Sequence, residues 1–300
     1  MDDGSGQIER VGVLGAGQMG GGIAQVSAQA GFEVVLCEVD EAALGRGLEA
    51  IEHQLERAVT RGRLGEDEAR AARERIRGTT AYEDLEDRDL VIEAVTESLE
   101  VKLKAWRRLD RAVRDGALLA TNTSSISVVD LAAVTERPQR VIGLHFFYPV
   151  PRMGLLEVVS TVMSAREAVE EGVEFGRRLG KHTVIARDTK GFIVNRLLVP
   201  YLLDAIRAYE NKAGSIEEID EAMRLGAGYP MGPFTLLDFV GLDTTNAIAD
   251  IMWDEYRETR FAAPPTLRRL VAAGYYGRKS GKGFYDYSGD APVPLDPLAL

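Results

Sequence analysis

Residues 11–20 read VGVLGAGQMG, and this stretch decides the fold. Its first part is an apolar run that predicts a buried strand, and the glycines that follow fit the pattern G-x-G-x-x-G. Residues 20–30 continue with a helical pattern that ends at Gly31. The glycine pattern alone is weak, because glycines also mark ordinary turns. A strand before it and a helix after it favour a loop that binds the phosphates of a dinucleotide.

The predicted ligand of this loop is a pyrophosphate. Glycine lets the backbone approach the phosphates at a helix N-terminus, where free N–H groups and the helix dipole favour negative charge. The predicted cofactor contacts in the loop are Gly15, Gly17, Gln18, Met19 and Gly20.

Glu38 ends the second predicted strand, about 20 residues beyond the loop. A carboxylate at this position accepts hydrogen bonds from the ribose hydroxyls and repels a 2′-phosphate. The next residues are Val39, Asp40 and Glu41, with no arginine to receive such a phosphate. The sequence therefore favours NAD over NADP. The alternative interpretation of Glu38 is a solvent-exposed acid at a strand end.

Strand and helix patterns alternate along the first two-thirds of the chain, which is typical of βαβ units and a parallel sheet. Several of the strand patterns are apolar nearly throughout, as expected of strands that are covered on both faces. The predicted strands are Arg10–Leu14, Glu33–Cys37, Asp89–Val95, Ala117–Thr121, Arg140–Phe146, Leu155–Ser160 and His182–Ala186. Two helical patterns between about residues 40 and 77 are interpreted as an inserted helical pair.

The strand pattern stops after about Asp188, and helical patterns follow it. They span residues 191–211, 216–225, 244–256 and 266–273. The predicted fold is therefore a Rossmann-like, doubly wound, mostly parallel α/β sheet in residues 1–188. An all-α C-terminal domain is predicted to follow in residues 189–300.

Composition excludes several classes of protein. The 300 residues include 36 Lys and Arg against 47 Asp and Glu, and the resulting net charge of −11 disfavours binding to nucleic acid. The single cysteine, Cys37, excludes an internal disulfide and a cysteine metal cluster. No apolar run reaches the length of about 18 residues that a membrane span needs, and the acidic start MDDGSGQIER is unlike a signal peptide. We expect a cytoplasmic protein without a metal, a membrane or a nucleic-acid partner.

The chain has three histidines, His53, His145 and His182, and the second is the candidate for acid–base chemistry. His145 ends a predicted strand, and ligands of open α/β sheets bind outside the carboxyl ends of strands. An imidazole has the pKa range of a general base near neutral pH. Glu157, on the next strand pattern, is the nearest candidate for an acid that orients it, because a buried carboxylate needs a partner. The alternative is that Glu157 faces solvent on an edge strand.

The chain resembles the L-3-hydroxyacyl-CoA dehydrogenase family, and within it most closely the short bacterial 3-hydroxybutyryl-CoA dehydrogenases. The matching stretches run from residue 11 to residue 287 in family order. They are VGVLGAGQMGGGIAQ, AVTESLEVK, TNTSSIS, GLHFFYPVPRMGLLEVV, GFIVNRLL, GYPMGPFTLLDFVGLDT and GRKSGKGFYDY.

The resemblance implies an NAD-dependent oxidoreductase of fatty acid metabolism that acts on the 3-hydroxy or 3-oxo group of an acyl thioester. It implies that His145 is the catalytic base, that Glu157 orients it, and that Ser124 and Asn195 contact the reacting oxygen. It further implies that Glu97, Lys102 and Asn122 contact the cofactor. The first domain would hold NAD, and the helical domain would form a homodimer.

Two of these residues also have an ordinary structural interpretation: Ser124 can cap a helix, and Asn195 can be an exposed polar residue at a helix start. Three arginines in the stretch ERAVTRGRLG, namely Arg57, Arg61 and Arg63, give the acidic chain a local basic turn. The resemblance places the adenine-nucleotide end of CoA at this turn, and guanidinium groups suit phosphate. A solvated basic turn is the alternative.

The chain departs from the family at Tyr148, where the family pattern His-Phe-Phe-Asn-Pro has asparagine. A long phenol replaces a short amide there, which favours a change of substrate or carrier over a loss of activity. One alternative function is therefore a dehydrogenase of hydroxyacyl groups on acyl carrier protein, in polyketide extender-unit synthesis. Others are a sugar-acid or carnitine-type dehydrogenase and an NAD-binding protein without catalysis.

Overall fold

The computed structural model describes residues 8–297, so most of the acidic start MDDGSGQIER lies outside the described residues. The chain forms two compact units that divide between Phe192 and Ile193. Asp188, the predicted boundary, lies at the end of a strand of the first unit. Its carboxylate accepts hydrogen bonds from the backbone N–H groups of Val128 and Val129 at 2.9 and 2.7 Å. This capping interaction ties Asp188 to the first unit.

The first unit contains an eight-stranded sheet in the order β3-β2-β1-β4-β5-β6-β7-β8. Neighbouring strands pair in parallel except β6 and β7, which pair antiparallel. The strands are β1 (Arg10–Leu14), β2 (Glu33–Cys37), β3 (Ile76–Thr79), β4 (Leu90–Glu93), β5 (Leu118–Thr121), β6 (Val141–Phe146), β7 (Leu155–Ser160) and β8 (His182–Arg187). The predicted Rossmann-like, mostly parallel sheet is confirmed.

Helices pack on both faces of this sheet, as a doubly wound fold requires. They are α1 (Gln18–Gln29), α2 (Glu41–Thr60), α3 (Glu66–Glu74), α4 (Leu99–Ala112), α5 (Val128–Ala132) and α6 (Arg166–Arg178). Consecutive residues of one strand enter different cores: Val34 packs in the cluster that contains Ile23 of α1, and Val35 in the cluster that contains Trp106 of α4. The alternation of side chains along a strand therefore explains why these strands are apolar throughout.

The sequence patterns missed strand β3. Helix α3 ends at Glu74, and Ile76–Thr79 then pairs with β2 at the edge of the sheet, whereas the sequence patterns predict that the helical pair continues to about residue 77. An edge strand needs few large apolar residues, and Gly78 lets the side chains of Leu44 and Leu48 approach to 3.1 Å from where a Cβ would lie. The segment IRGT consequently lacks the pattern of a buried strand, and the helical pair connects two neighbouring strands.

The second unit is helical, as predicted, with a short two-stranded antiparallel ladder that the sequence patterns did not reveal. Its helices are α7 (Val194–Glu210), α8 (Ile216–Gly226), α9 (Pro233–Val240), α10 (Leu242–Tyr256) and α11 (Pro265–Ala272), and the ladder joins β9 (Tyr285–Asp286) to β10 (Val293–Pro294). Pro200 lies inside α7, where it is buried.

One buried carboxylate ties β9 to α9. Asp238, which is 1% exposed, accepts hydrogen bonds from the N–H groups of Phe284 and Tyr285 at 2.9 Å each, and from the hydroxyl of Tyr287 at 3.0 Å. A Cβ on Gly283 would lie 2.0 Å from Oδ1 of Asp238, so the segment GRKSGKGFYDY needs glycine for this approach. The motif thus has a packing role in the second unit.

We predict that Asp238 makes the stability of the second unit depend on pH. Burial raises the pKa of Asp238 to about 6, although the hydrogen bonds from Phe284 and Tyr285 act in the opposite direction. An acid whose folded-state pKa is raised stabilises the fold most when it is protonated, so the free energy of unfolding should fall as pH rises from about 4 to about 6, by up to about 3 kcal/mol.

Urea unfolding of the wild type and of Asp238→Asn across this pH range measures the effect. The variant should start from a stability about 1–3 kcal/mol lower, because one N–H group loses its acceptor, but should lack the pH-dependent difference. Parallel pH profiles for the two proteins would contradict the prediction.

Candidate active site

The carboxyl ends of five parallel strands, β1, β2, β4, β5 and β6, lie along one edge of the sheet, here called the carboxyl edge. The residues that follow or end these strands include most of the predicted site. They are the glycine loop, Glu38, Asn122, Ser124 and His145, together with Glu93, which sequence analysis did not select. Parallel pairing therefore brings together residues that are far apart along the chain.

The three glycines of the loop serve different purposes. Gly15 has φ +105°, and a Cβ there would lie 2.7 Å from the carbonyl oxygen of Ala94, whereas a Cβ on Gly20 would lie 1.8 Å from the carbonyl oxygen of Gly15. A Cβ on Gly17 would meet nothing within 4 Å among the described residues. The fold therefore requires Gly15 and Gly20, and Gly17 leaves open space.

That open space lies at the N-terminus of α1. Gly17 is the N-cap residue, no side chain caps the helix, and its first turn has no acidic residue. The first N–H groups of the helix are therefore available to an anion. Open space beside free N–H groups is the arrangement that a dinucleotide pyrophosphate requires, so this loop fits the predicted cofactor.

Glu38 holds the glycine loop through its carboxylate. Its Oε2 accepts a hydrogen bond from the N–H of Ala16 at 2.7 Å, and its Oε1 accepts one from the N–H of Val39 at 2.7 Å. Each carboxylate oxygen can accept a further hydrogen bond. The carboxylate is half-buried, so it is not simply a solvated acid at a strand end.

His145 and Glu157 form a buried pair on neighbouring strands. They stand opposite each other in the antiparallel β6–β7 ladder, and Nδ1 of His145 lies 2.6 Å from Oε2 of Glu157. His145 is 5% exposed and Glu157 is fully buried, so the alternative in which Glu157 faces solvent is wrong. Because the carboxylate engages Nδ1, Nε2 is the nitrogen that can exchange a proton with a substrate.

Two phenylalanine rings pack beside the imidazole. The ring centroids of Phe147 and Phe192 lie 4.6 and 5.3 Å from that of His145. Phe192 is buried and has φ +45°, a backbone conformation that costs energy for a residue other than glycine. Sequence analysis missed Phe192, because nothing in GFIVNRLL indicates that its ring reaches a strand end.

Asn122 joins the ends of β5 and β6. Its Oδ1 accepts a hydrogen bond from the N–H of Phe146 at 2.9 Å, directly beside His145. Ser124 follows in the same loop and is half-buried. The N-cap residue of α5 is Ser127, so the interpretation of Ser124 as a helix cap is wrong.

Glu97 organises the loop that carries Ser124. Its Oε1 accepts hydrogen bonds from the N–H groups of Ser124 and Ser125 at 3.1 and 3.2 Å, and from the hydroxyls of Thr123 and Ser125. Burial acts to raise the pKa of Glu97, but the charge of Lys102 and the hydrogen bonds from Thr123 and Ser125 outweigh it and lower the pKa. Glu97 is therefore an anion at neutral pH.

Lys102 is buried among carboxylates. Its Nζ lies 2.7 Å from Oε1 of Glu93 and 3.2 Å from Oε2 of Glu97, and its side chain is 1% exposed. Glu93 ends strand β4, just as Glu38 follows β2, and this position at the end of an apolar run was the sequence signal that could have identified it.

The remaining predicted residues are three arginines, Tyr148 and Asn195. Arg57 lies in the last turn of α2, and Arg61 and Arg63 lie in the connection between α2 and α3. All three are exposed, and none pairs with a carboxylate within the described residues 8–297. Tyr148 follows β6 and is 49% exposed. Asn195 lies in the first turn of α7, in the second unit.

No helix between residues 8 and 297 is long and apolar enough to cross a membrane. In the same range, no group of three or more His, Cys, Asp or Glu side chains is placed to hold a metal ion.

Comparison with known proteins agrees with this geometry. Residues 10–189 match the family model for the NAD binding domain of 3-hydroxyacyl-CoA dehydrogenase, and residues 191–287 match the model for its C-terminal domain. A 3-hydroxybutyryl-CoA dehydrogenase of Mycobacterium tuberculosis is 50% identical over 282 residues, which cover 93% of this chain and 99% of the relative. The mitochondrial hydroxyacyl-coenzyme A dehydrogenase of Sus scrofa is 46% identical, over 93% of this chain and 91% of the relative.

Solved structures of two similar proteins have the same fold as this chain. The crystal structure of FadB2 from M. tuberculosis superposes with a TM-score of 0.93 at 49% identity, and covers 94% of this chain and all of that chain. (S)-3-hydroxybutyryl-CoA dehydrogenase PaaH1 from Ralstonia eutropha superposes with a TM-score of 0.91 at 40% identity over the same shares.

The fold and the carboxyl edge define a nicotinamide-dependent oxidoreductase with a Rossmann-like domain. The chain belongs to the 3-hydroxyacyl-CoA dehydrogenase family. The family resemblance found in the sequence is thereby confirmed.

We predict that Gly17 and Gly20 respond differently to a methyl group. Gly17→Ala should fold normally, because a Cβ meets nothing there, but should raise the Kd for NADH at least about tenfold by blocking the approach of the pyrophosphate. Gly20→Ala should lower the free energy of unfolding by about 1–3 kcal/mol or more, because its Cβ overlaps a backbone oxygen.

Thermal unfolding and fluorescence titration with NADH measure the two effects. Gly45→Ala in α2 is the matched control, since its Cβ also meets nothing within 4 Å, and both stability and binding should be retained. Tight NADH binding by Gly17→Ala would exclude the open space as the pyrophosphate site.

Proposed function

We propose that the chain is an NAD-dependent 3-hydroxyacyl-CoA dehydrogenase that acts on short acyl chains such as 3-hydroxybutyryl-CoA. The observation that carries the proposal is the buried His145–Glu157 pair at the carboxyl edge, with 2.6 Å between Nδ1 and Oε2. The names of relatives up to 50% identical support the substrate class. The proposed cofactor contacts are those of the sequence analysis, and Glu38 favours NAD over NADP.

The proposed chemistry follows from the groups that the chain provides. Nε2 of His145 takes the proton of the 3-hydroxyl, and the carboxylate of Glu157 stabilises the imidazolium that results. NAD, which the glycine loop and Glu38 would hold, would supply the acceptor for the hydride of the carbon that bears the 3-hydroxyl, and a 3-oxo group would result. Ser124 and Asn195 hold the oxygen while its charge changes. In the reverse direction, His145 returns the proton.

The two regions of the chain divide these tasks in the proposal. Residues 1–188 would bind NAD, with the helical pair at about 40–77 as an addition, and residues 189–300 would contribute Asn195 and a homodimer contact. Exposed apolar side chains of the second unit support the dimer, among them Leu197, Leu225, Tyr229 and Phe239. A cytoplasmic location remains part of the proposal, in agreement with the single cysteine, Cys37.

We predict that His145→Gln lowers kcat for NADH oxidation with acetoacetyl-CoA by about 10²–10⁴-fold, the usual contribution of a general acid–base group. The Kd for NADH should stay nearly the same, because the imidazole is not needed to bind the cofactor. Absorbance at the NADH band and fluorescence titration measure the two quantities.

The matched control is His182→Gln, because His182 is exposed at the start of β8 and should leave kcat unchanged. A His145→Gln variant with wild-type kcat would overturn the assigned base. A wild type that binds NADH but turns over no acyl thioester would instead favour the alternative of a non-catalytic NAD-binding protein.

Tyr148 supports a second candidate, a dehydrogenase of hydroxyacyl groups on acyl carrier protein. Its ring is 49% exposed beside the strand end that carries His145, where it can contact a substrate or its carrier. The exposed turn with Arg57, Arg61 and Arg63 suits either the phosphates of CoA or the phosphopantetheine of an acidic carrier.

We predict that an acetoacetyl group is turned over more efficiently on CoA than on acyl carrier protein. Comparison of kcat/KM for the two carriers measures this, and a preference for the carrier protein would replace the first proposal by the second.

Neutralisation of Arg61 and Arg63 should raise KM for the preferred carrier with little change in kcat, because these residues are expected to bind the carrier and not the reacting group.

A further inference from the structure

We propose that Glu93 is a positioning residue: through Lys102 and Glu97 it sets the position of the loop that carries Ser124. The inference rests on the proposed function for its catalytic consequence, but the placement of the loop can be tested without it.

Glu93 is a fully buried carboxylate whose two oxygens are occupied by the chain. Oε1 accepts hydrogen bonds from the N–H of Val95 at 2.8 Å and from Nζ of Lys102 at 2.7 Å. Oε2 accepts from the indole Nε1 of Trp106 at 3.1 Å and from the hydroxyl of Thr121 at 2.8 Å. With four donors and no exposure, the carboxylate has no part left for a ligand. Glu93 can therefore affect the site only through the groups that it binds.

Lys102 transmits this constraint. Its ammonium has three N–H donors and three oxygen neighbours within the chain: Oε1 of Glu93 at 2.7 Å, the carbonyl of Val95 at 3.3 Å and Oε2 of Glu97 at 3.2 Å. The ammonium of Lys102 is 1% exposed and is held between Glu93 and Glu97, so the position of Glu97 depends on it.

Glu97 completes the connection because its two oxygens face different partners. Oε2 meets Lys102, while Oε1 accepts the N–H groups of Ser124 and Ser125 at 3.1 and 3.2 Å. Displacement of Lys102 would therefore move the carboxylate that fixes the backbone of Ser124. These contacts connect Glu93 at the end of β4, through Lys102 in α4, to the loop after β5.

The charges explain why Glu93 is needed in addition to Glu97. One ammonium lies between two carboxylates, and a buried cation needs compensation close by. With Glu93 neutral, the ammonium would be held by Glu97 alone and would move toward it, which distorts the contacts of Glu97 to Ser124. With Lys102 neutral, the buried carboxylate of Glu93 and the partly exposed carboxylate of Glu97 would face each other without a cation between them, and they would separate.

Hydrogen–deuterium exchange of the segment 122–127, measured on the protein alone, tests the placement. We expect exchange at Ser124 and Ser125 to rise about tenfold or more in Glu93→Gln, because their acceptor moves. Lys102→Met should give the same result and serves as the second variant if Glu93→Gln fails to fold. Glu171→Gln is the matched control: it breaks a bidentate pair with Arg140 at 2.7 and 2.8 Å, at the opposite end of β6 from His145.

Kinetics then separate positioning from a merely structural role. Folded Glu93→Gln should lose about 10- to 100-fold in kcat, as a misplaced reacting geometry does. If Glu93 acts through Glu97, the double variant Glu93→Gln/Glu97→Gln should have a kcat within about twofold of Glu97→Gln alone, whereas Glu171→Gln should combine additively. The proposal would be overturned if folded Glu93→Gln exchanged the segment 122–127 at the wild-type rate. It would also be overturned if the losses of kcat in Glu93→Gln and Glu97→Gln were additive in the double variant. The wild type could also lack dehydrogenase activity while Glu93→Gln still exchanges faster in this segment. That result would support the placement of the loop and contradict only the proposed function.

Discussion

Parallel pairing of strands that are buried on both faces is the constraint on which the rest of the structure depends. Such strands accept a polar side chain along their length only where it has a partner, as Glu157 has in His145, so most polar groups collect where the strands end. Six strands of this sheet end at the same edge, and five of these ends carry a polar or glycine residue of the candidate site: Gly15, Glu38, Glu93, Asn122 and His145. The site is a consequence of this arrangement.

Three buried or half-buried glutamates show how the carboxyl edge handles charge. Glu38 accepts backbone N–H groups, Glu93 accepts an ammonium, an indole and a hydroxyl, and Glu157 accepts the imidazole of His145. Each pairing offsets the cost of removing a carboxylate from water. The partner of Glu157 is an imidazole that is bound through Nδ1, and this pair is the one to which the proposed function assigns the proton transfer.

The residues of the candidate site that the sequence predicts are those whose placement depends on neighbouring elements of the chain. The glycine loop and Glu38 were found because the turn, the helix start and the strand end lie within one βαβ unit. His145 and Glu157 were paired because the two residues lie on consecutive strand patterns. Glu93 was missed, since a charge at a strand end has no evident role until α4 brings Lys102 and Trp106 to it. Strand β3 was missed because an edge strand needs little apolar sequence.

The sequence by itself determined the class of fold, the place of the glycine loop and the family, because sterics, side-chain periodicity and motif order act over short distances along the chain. Only the tertiary structure decided which charges meet. Glu97 accepts a hydrogen bond from the N–H of Ser125, which lies 28 residues away along the chain. Asp238 accepts one from the N–H of Tyr285, which lies 47 residues away. Such contacts depend on the order of strands in the sheet and of helices in the second unit. For this reason a charged residue can be assigned to a strand end from sequence, but its partner can be assigned only where the two lie on consecutive strands, as His145 and Glu157 do.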